Sequence, residues 1–186
     1  GYINFSEVYL QGIRDISLVD IFEAEKLGFS IKLIASSKIN ENNLVEISSE
    51  PIFLKNEKLL SNVNDVYNAI EITGSYTGKT LFYGKGAGME PTASAVISDI
   101  VKIATDSVIN SSFFFDAESH LKTVDTNELK HEFYIRTSKD FDIEASALEL
   151  YEEIDNYYII IAENISRNDL NEIFADVKEK LIVKII

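Results

Sequence analysis

Leu81-Phe82-Tyr83-Gly84-Lys85-Gly86-Ala87-Gly88-Met89-Glu90-Pro91-Thr92-Ala93-Ser94-Ala95-Val96 is the stretch around which the rest of the chain can be organised. Thr80 to Tyr83 reads as a strand. Ala93, Val96, Ile97, Ile100, Val101 and Ala104 recur at three- and four-residue spacing, which predicts a helix over Thr92 to Thr105. Between the two, Gly84, Gly86 and Gly88 alternate with other residues. A backbone without Cβ atoms can take positive φ or let a flat ligand approach closely, and the free N–H groups of a helix start favour electron-rich partners. This is not a dinucleotide fingerprint, because G-x-G-x-x-G counted from Gly84 would need glycine at Met89, and counted from Gly86 at Pro91. The residues alone leave two readings open: a ligand-facing loop, or a tight turn packed on neighbouring backbone.

Working outward, Val63 to Thr73 is strand-like and Gly74 to Gly78 is a turn. Gly78-Lys79-Thr80 invites a phosphate-loop reading, but three residues separate it from Gly74 where four are needed, and a strand follows it instead of a helix. A hairpin turn is the better reading. Upstream, Ser17 as N-cap with Asp20 three residues on, and Gly28 as C-cap, bound a helix over Leu18 to Leu27. Phe29, Ile31, Leu33 and Ala35 alternate as a strand, and the turn Asn40 to Asn43 leads to a second strand through Val45 and Ile47. Downstream, strands are expected at Phe133 to Thr137, Ile143 to Tyr151 and Tyr157 to Ala162. A helix capped by Ser166 is expected over Asn168 to Lys180, and a last strand over Leu181 to Ile186.

Composition limits the function classes. The 186 residues carry 17 Lys and Arg against 31 Asp and Glu, a net charge of −14, which repels nucleic acid phosphates and anionic headgroups. With no cysteine and two separate histidines, neither a thiolate nor a histidine-rich metal site can form, and no metal is expected. No apolar run reaches the roughly 18 residues of a spanning helix, so no membrane partner is expected and the chain reads as soluble and cytoplasmic. The acids concentrate late: net −5 over residues 1–115 and −9 over 116–186, with a polar linker around 106–127. Glu23 with Glu25, and Glu152, Glu153 and Asp155, read as surface acids, and His120 and His131 as solvated. Tyr157, Tyr158 and Phe113 to Phe115 read as packing residues.

From Val8 to Ala104 the chain resembles the later catalytic region of homoserine dehydrogenase. The resemblance rests on Gln11-Gly12-Ile13, Asp20-Ile21, Leu27-Gly28-Phe29, Ile31-Lys32-Leu33, Ser61 to Ala69, Phe82 to Gly88, and Pro91 to Val96 with Asp99 and Ile100. It implies an NAD(P)-dependent interconversion of homoserine and aspartate semialdehyde, with the glycine loop near the nicotinamide. Gly86 and Gly88, with Thr92 behind them, would be the cofactor contacts. The family's nucleotide-binding domain and its catalytic lysine and aspartate lie upstream of the position equivalent to Gly1. The resemblance therefore implies a fragment, without catalytic residues of its own, inactive alone and binding no cofactor alone. The end of the chain resembles an ACT domain with the first helix missing between Asp140 and Phe141. The implied fold is α+β: a mixed strand-helix layer of a dehydrogenase catalytic and dimerisation region over 1–110, a linker over 111–130, and an incomplete, ferredoxin-like ACT-type βαββαβ domain over 131–186. An amino-acid effector, a small-molecule substrate and at least a homodimer are the implied partners. The rival reading is a non-catalytic dimerising or amino-acid-sensing module.

Overall fold

Helix α1 (Leu18–Lys26) starts where the sequence predicts, with the Ser17 backbone N–H donating to Asp20 Oδ2 at 2.7 Å, and it stops at Gly28, whose φ of +81° suits glycine. Strands β2 (Phe29–Ile39) and β3 (Val45–Lys55) then form the expected hairpin, paired from Phe29↔Lys55 to Ile39↔Val45. Its turn is held by Asn40 Oδ1, which accepts from the N–H groups of Asn42 and Leu44. The computed structural model describes residues 2–105, 120–143, 146 and 148–186; Phe113 to Phe115 and much of the expected linker lie outside them. The chain divides into two units, Gly1–Asn56 with Ala117–Ile186, and Glu57–Asp116.

The first unit is built on a seven-stranded sheet. Besides β2 and β3 it contains β1 (Tyr9–Leu10), β6 (Lys130–Ser138), β7 (Leu150–Ile154), β8 (Tyr157–Ser166) and β9 (Lys180–Ile185), in the order β1-β3-β9-β6-β8-β7 with β2 along β3. β9 lies antiparallel to β6 and parallel to β3, with Ile52 opposite Lys184 and Phe53 opposite Ile185. That ladder joins residues from both ends of the chain in one sheet. The structural units therefore cut the sequence elsewhere than the expected boundaries at 110 and 131.

Both faces of this sheet are covered, which explains why five successive residues of β6, Phe133 to Thr137, are buried. On one face Phe53, Tyr134, Ile159, Leu181 and Val183 pack with Ala24 of α1. On the other, Phe133, Ile135, Ile160 and Ile182 pack with Leu170 and Phe174, at and just beyond helix α3 (Arg167–Ile173). Two expectations need correction here. The helix expected over 168–180 ends at Ile173, because Phe174 is fully buried and the next residues turn through short i→i+3 bonds that bring Val177 into the same cluster. The strand expected over 143–151 begins only at Leu150. Phe141, Ile143 and Leu148 are instead drawn onto the sheet face beside α3, with the Phe141 and Phe174 rings 4.4 Å apart.

The second unit contains the antiparallel hairpin of β4 (Tyr67–Gly74) and β5 (Gly78–Lys85), followed by helix α2 (Met89–Ala104). Gly78 has φ +67° in the hairpin turn, as expected for the Gly78-Lys79-Thr80 triplet read as a turn. α2 begins three residues before the predicted start, since a proline at position 91 is tolerated in a first helical turn where no N–H bond is lost. Among the described residues no helix is long and apolar enough to cross a membrane.

Candidate functional site

The link from β5 to α2 is the short loop Gly86-Ala87-Gly88. Gly86 N–H donates to the Val66 carbonyl at 2.9 Å, which keeps the loop in line with the hairpin. Gly88 then breaks the direction with φ +124° and ψ +156°, a conformation that L side chains rarely adopt, and a Cβ there would stand 3.3 Å from Pro91 Cδ. Thr92 closes the corner: its N–H and its hydroxyl both donate to the Gly88 carbonyl, at 3.2 and 2.8 Å. No side chain caps the helix, so the first-turn N–H groups of Met89 and Glu90 lack an intrahelical acceptor. Gly84 through Glu90 are exposed.

Within its own unit the space over Gly84 is open, whereas Asn68 stands over Gly86. Gly84 to Glu90 are exposed, as a ligand-facing loop requires, while Asn68 lies against Gly86 and Pro91 against Gly88, as in a packed turn. The structure brings Gly86, Gly88 and Thr92 into one corner, but the Thr92 hydroxyl faces the Gly88 carbonyl and so sets the loop's shape instead of projecting outward. On the hairpin the rings of Tyr67 and Tyr83 stack at 4.8 Å, and Lys79 pairs with Glu71 at 3.2 Å on the same face. Among the described residues no cluster of His, Cys, Asp and Glu is suited to a metal.

The first unit holds charge that composition did not reveal. Asp20, expected only to cap α1, is fully buried and also accepts from Tyr134 Oη at 2.9 Å and Arg136 Nε at 2.8 Å. Burial, and then the Asp20 carboxylate, push the Tyr134 phenol well above its ordinary range. Arg167 donates to Glu50 at 2.7 Å, both side chains being nearly inaccessible. His131, expected to be solvated, is half-buried 3.3 Å from Glu46; that contact and the Lys184 hydrogen bond at 2.8 Å hold the Glu46 carboxyl down at about 2. Glu23, expected at the surface, is buried beside Ala24, and burial raises its pKa. The sequence signal for the buried pairs was a charge inside an apolar run, Arg136 after Phe133-Tyr134-Ile135. Glu25 and Asp155 are exposed, as read.

Two shallow cavities lie in the first unit. One, of about 430 Å³, is lined by 6–10 and 123–127. The other, of about 520 Å³, is lined by 148–151 and 161–163. The first is lined by the carboxylates of Glu7 and Asp125, the second by those of Glu149 and Glu163.

Comparison with known proteins adds the following. The sequence model of the family described as homoserine dehydrogenase matches residues 1–101. The homoserine dehydrogenase of Helicobacter pylori is 47% identical over 98 residues, which are 53% of this chain and 23% of that protein. That of Synechocystis is 40% identical over 115 residues, 60% of this chain and 26% of that protein. A crystal structure of the Staphylococcus aureus homoserine dehydrogenase superposes with a TM-score of 0.66 at 29% identity, over 100% of this chain and 49% of that one. The structure from Thiobacillus denitrificans, TM-score 0.73 at 22% identity over 98% of this chain and 48% of that one, shares the fold. The chain spans about a quarter of the curated relatives' length and about half of the solved chains.

Proposed function

Because the chain belongs to the homoserine dehydrogenase family, we propose that it forms part of an NAD(P)-dependent oxidoreductase interconverting L-homoserine and L-aspartate 4-semialdehyde, on the route to threonine and methionine. The observation that carries this reading is the uncovered backbone from Gly84 to Glu90, between a strand and an uncapped helix. A nicotinamide ring fits such a surface, since Asn68 lies against Gly86 while the space over Gly84 is open and the helix N–H groups have no intrahelical acceptor. When bound, the nicotinamide exchanges a hydride with the carbon that carries the substrate oxygen. Gly86 and Gly88 are the contacts that let the coenzyme lie on main chain, and Thr92 fixes the Gly88 carbonyl so that the loop need not reorganise on binding. On this reading the acid or base at the substrate hydroxyl comes from another part of the enzyme.

Steady-state reduction of NAD(P)+ by homoserine tests the reading in the enzyme that carries this chain. A valine at Gly88 should lower kcat/KM by about tenfold or more, the cost of a bulky residue at a backbone site of positive φ. Unchanged kinetics in that variant, or no homoserine-dependent activity in the wild type, would refute it.

A second reading concerns residues 131–186 as an ACT-like module. What supports it is the antiparallel order β9-β6-β8-β7, with α3 between β8 and β9, the arrangement of ferredoxin-like βαββαβ domains. Phe141, Ile143 and Leu148 take the place of the absent first helix on the sheet face. Calorimetric titration with threonine, isoleucine and methionine tests an effector role. Saturable binding without any NAD(P) binding favours the non-catalytic sensor. At least a homodimer, formed through the outer edges of β2 or β7, and a cytoplasmic location complete the proposal; a monomer by light scattering at high concentration would contradict the dimer.

A further inference from the structure

Asn68 sits in the middle of β4, where asparagine is a poor strand former, directly opposite Gly84 on β5 and diagonal to Gly86. Its carboxamide occupies the space a side chain at Gly86 would need: a Cβ built there would lie 1.7 Å from Asn68 Nδ2 and 2.4 Å from its Cγ. On the other side the space over Gly84 is open, with no atom within 4 Å of a Cβ built there. Asn68 is exposed, and its side chain makes no hydrogen bond to any described residue. Gly84 at the end of β5 and Gly86 just beyond it thus frame a carboxamide on β4, at the edge of the backbone surface assigned to the coenzyme. Next along the same hairpin face stand Ile70 and Phe82, paired across the strands and 64% and 59% exposed.

We propose that Asn68 is a specificity-determining contact for the coenzyme, its carboxamide pairing with the carboxamide of a nicotinamide ring laid over Gly84. The inference rests on the dehydrogenase reading above. The pairing follows from chemistry: a primary amide offers two donors and one acceptor oxygen, and its best in-plane partner is another primary amide. The glycines supply the flat surface, and the open space over Gly84 supplies room for the ring. Gly86 is glycine on this account because Asn68 must reach past it, and Gly84 because the ligand must.

The test is steady-state kinetics of the enzyme carrying this chain, together with equilibrium dissociation constants from calorimetric titration without homoserine, which should rise by the same factors as KM, using the natural coenzyme and its 3-acetylpyridine analogue, which keeps the carbonyl but lacks the amide N–H groups. Asn68→Ala should raise the KM for the natural coenzyme about 3- to 10-fold, the worth of one neutral hydrogen-bonded contact. The homoserine KM should stay put, and the wild type's preference for the natural coenzyme over the analogue should shrink by the same factor. Gly84→Ala, which meets no protein atom, should raise the KM for both coenzymes while leaving thermal stability unchanged. An Asn68→Ala enzyme whose preference between the two coenzymes equals that of the wild type overturns the assignment, as does a Gly84→Ala enzyme with unaltered coenzyme kinetics. A wild type without homoserine-dependent reduction of either coenzyme overturns the dehydrogenase reading and this assignment with it.

Discussion

Replacing Asp20 by asparagine changes one atom and should cost the first unit a large part of its stability. Four donors converge on the Asp20 carboxylate: Ser17 N–H at 2.7 Å, Ser17 Oγ at 2.8 Å, Arg136 Nε at 2.8 Å and Tyr134 Oη at 2.9 Å. A carboxylate can accept all four, whereas an amide offers one oxygen and turns two more donors toward the remaining pair. Whichever way the amide is turned, one N–H donor, that of Ser17 or that of Arg136 Nε, loses its acceptor at about 1 to 3 kcal/mol, while the hydroxyl beside it can turn to accept from the amide. Arg136 also loses its buried counter-charge. Its side chain is 6% exposed, and its other carboxylate, Glu179 at 3.6 Å, is 60% exposed and screened by solvent. Breaking one side of a buried ion pair costs about 3 to 5 kcal/mol, which sets the expected loss. Urea unfolding of the chain followed by circular dichroism should show the midpoint falling at constant slope. The double variant Asp20→Asn with Arg136→Met should lose less than the two single losses together, because the uncompensated charge is gone. A loss below about 1 kcal/mol in Asp20→Asn would mean that the four contacts are not the buried network described, and the reasoning would fail.

Other outcomes follow from the same geometry. Glu46, held at about 2 by His131 and Lys184 against an ordinary value of 4.5, contributes stability that is complete above 4.5 and is lost as the pH falls toward 2. Partial exposure reduces that contribution to about 1 to 2 kcal/mol, and Glu46→Gln should flatten the melting temperature over that window; a wild-type profile in the variant would contradict it. Phe174→Ala should cost about 3 to 5 kcal/mol in urea unfolding, as expected for a fully buried aromatic ring, and a loss under 1 kcal/mol would show that the loop at Phe141 refills the cavity. Gly88→Ala should lower stability by about 1 to 2 kcal/mol through its φ of +124°, read by hydrogen exchange at the start of α2. Unchanged protection at Thr92 would argue that the loop relaxes to an ordinary conformation.

What could be read from the sequence was whatever is encoded within a few residues. Ser17, Asp20 and Gly28 bound α1 because capping is local, and Asn40 to Asn43 mark the hairpin for the same reason. Gly86 and Gly88 announce a special backbone wherever they occur. The β3–β9 ladder left no such trace, since strands this far apart in sequence are matched by burial and register alone. Asn68 was missed for a similar reason. It lies 18 residues from Gly86 and meets it only because the hairpin folds Ala69 opposite Tyr83. The second role of Asp20 was hidden behind its first: a residue that already explains a helix cap gives no cue that its other oxygen is claimed by Arg136. The early end of α3 was illegible because Phe174 and Val177 also suit a continuing helix, and only the packing of the sheet face decides between the two.

The pairing of Ile52 with Lys184 also sets a schedule for synthesis. About 130 residues separate the partners, so at roughly 5 to 20 residues per second the ribosome leaves this side of β3 without its β9 neighbour for roughly 7 to 25 seconds. Throughout that interval an apolar segment containing Ile52, Phe53 and Leu54 has to be kept from pairing with nascent neighbours on the same message, a demand that falls on chaperones and on the rate of elongation.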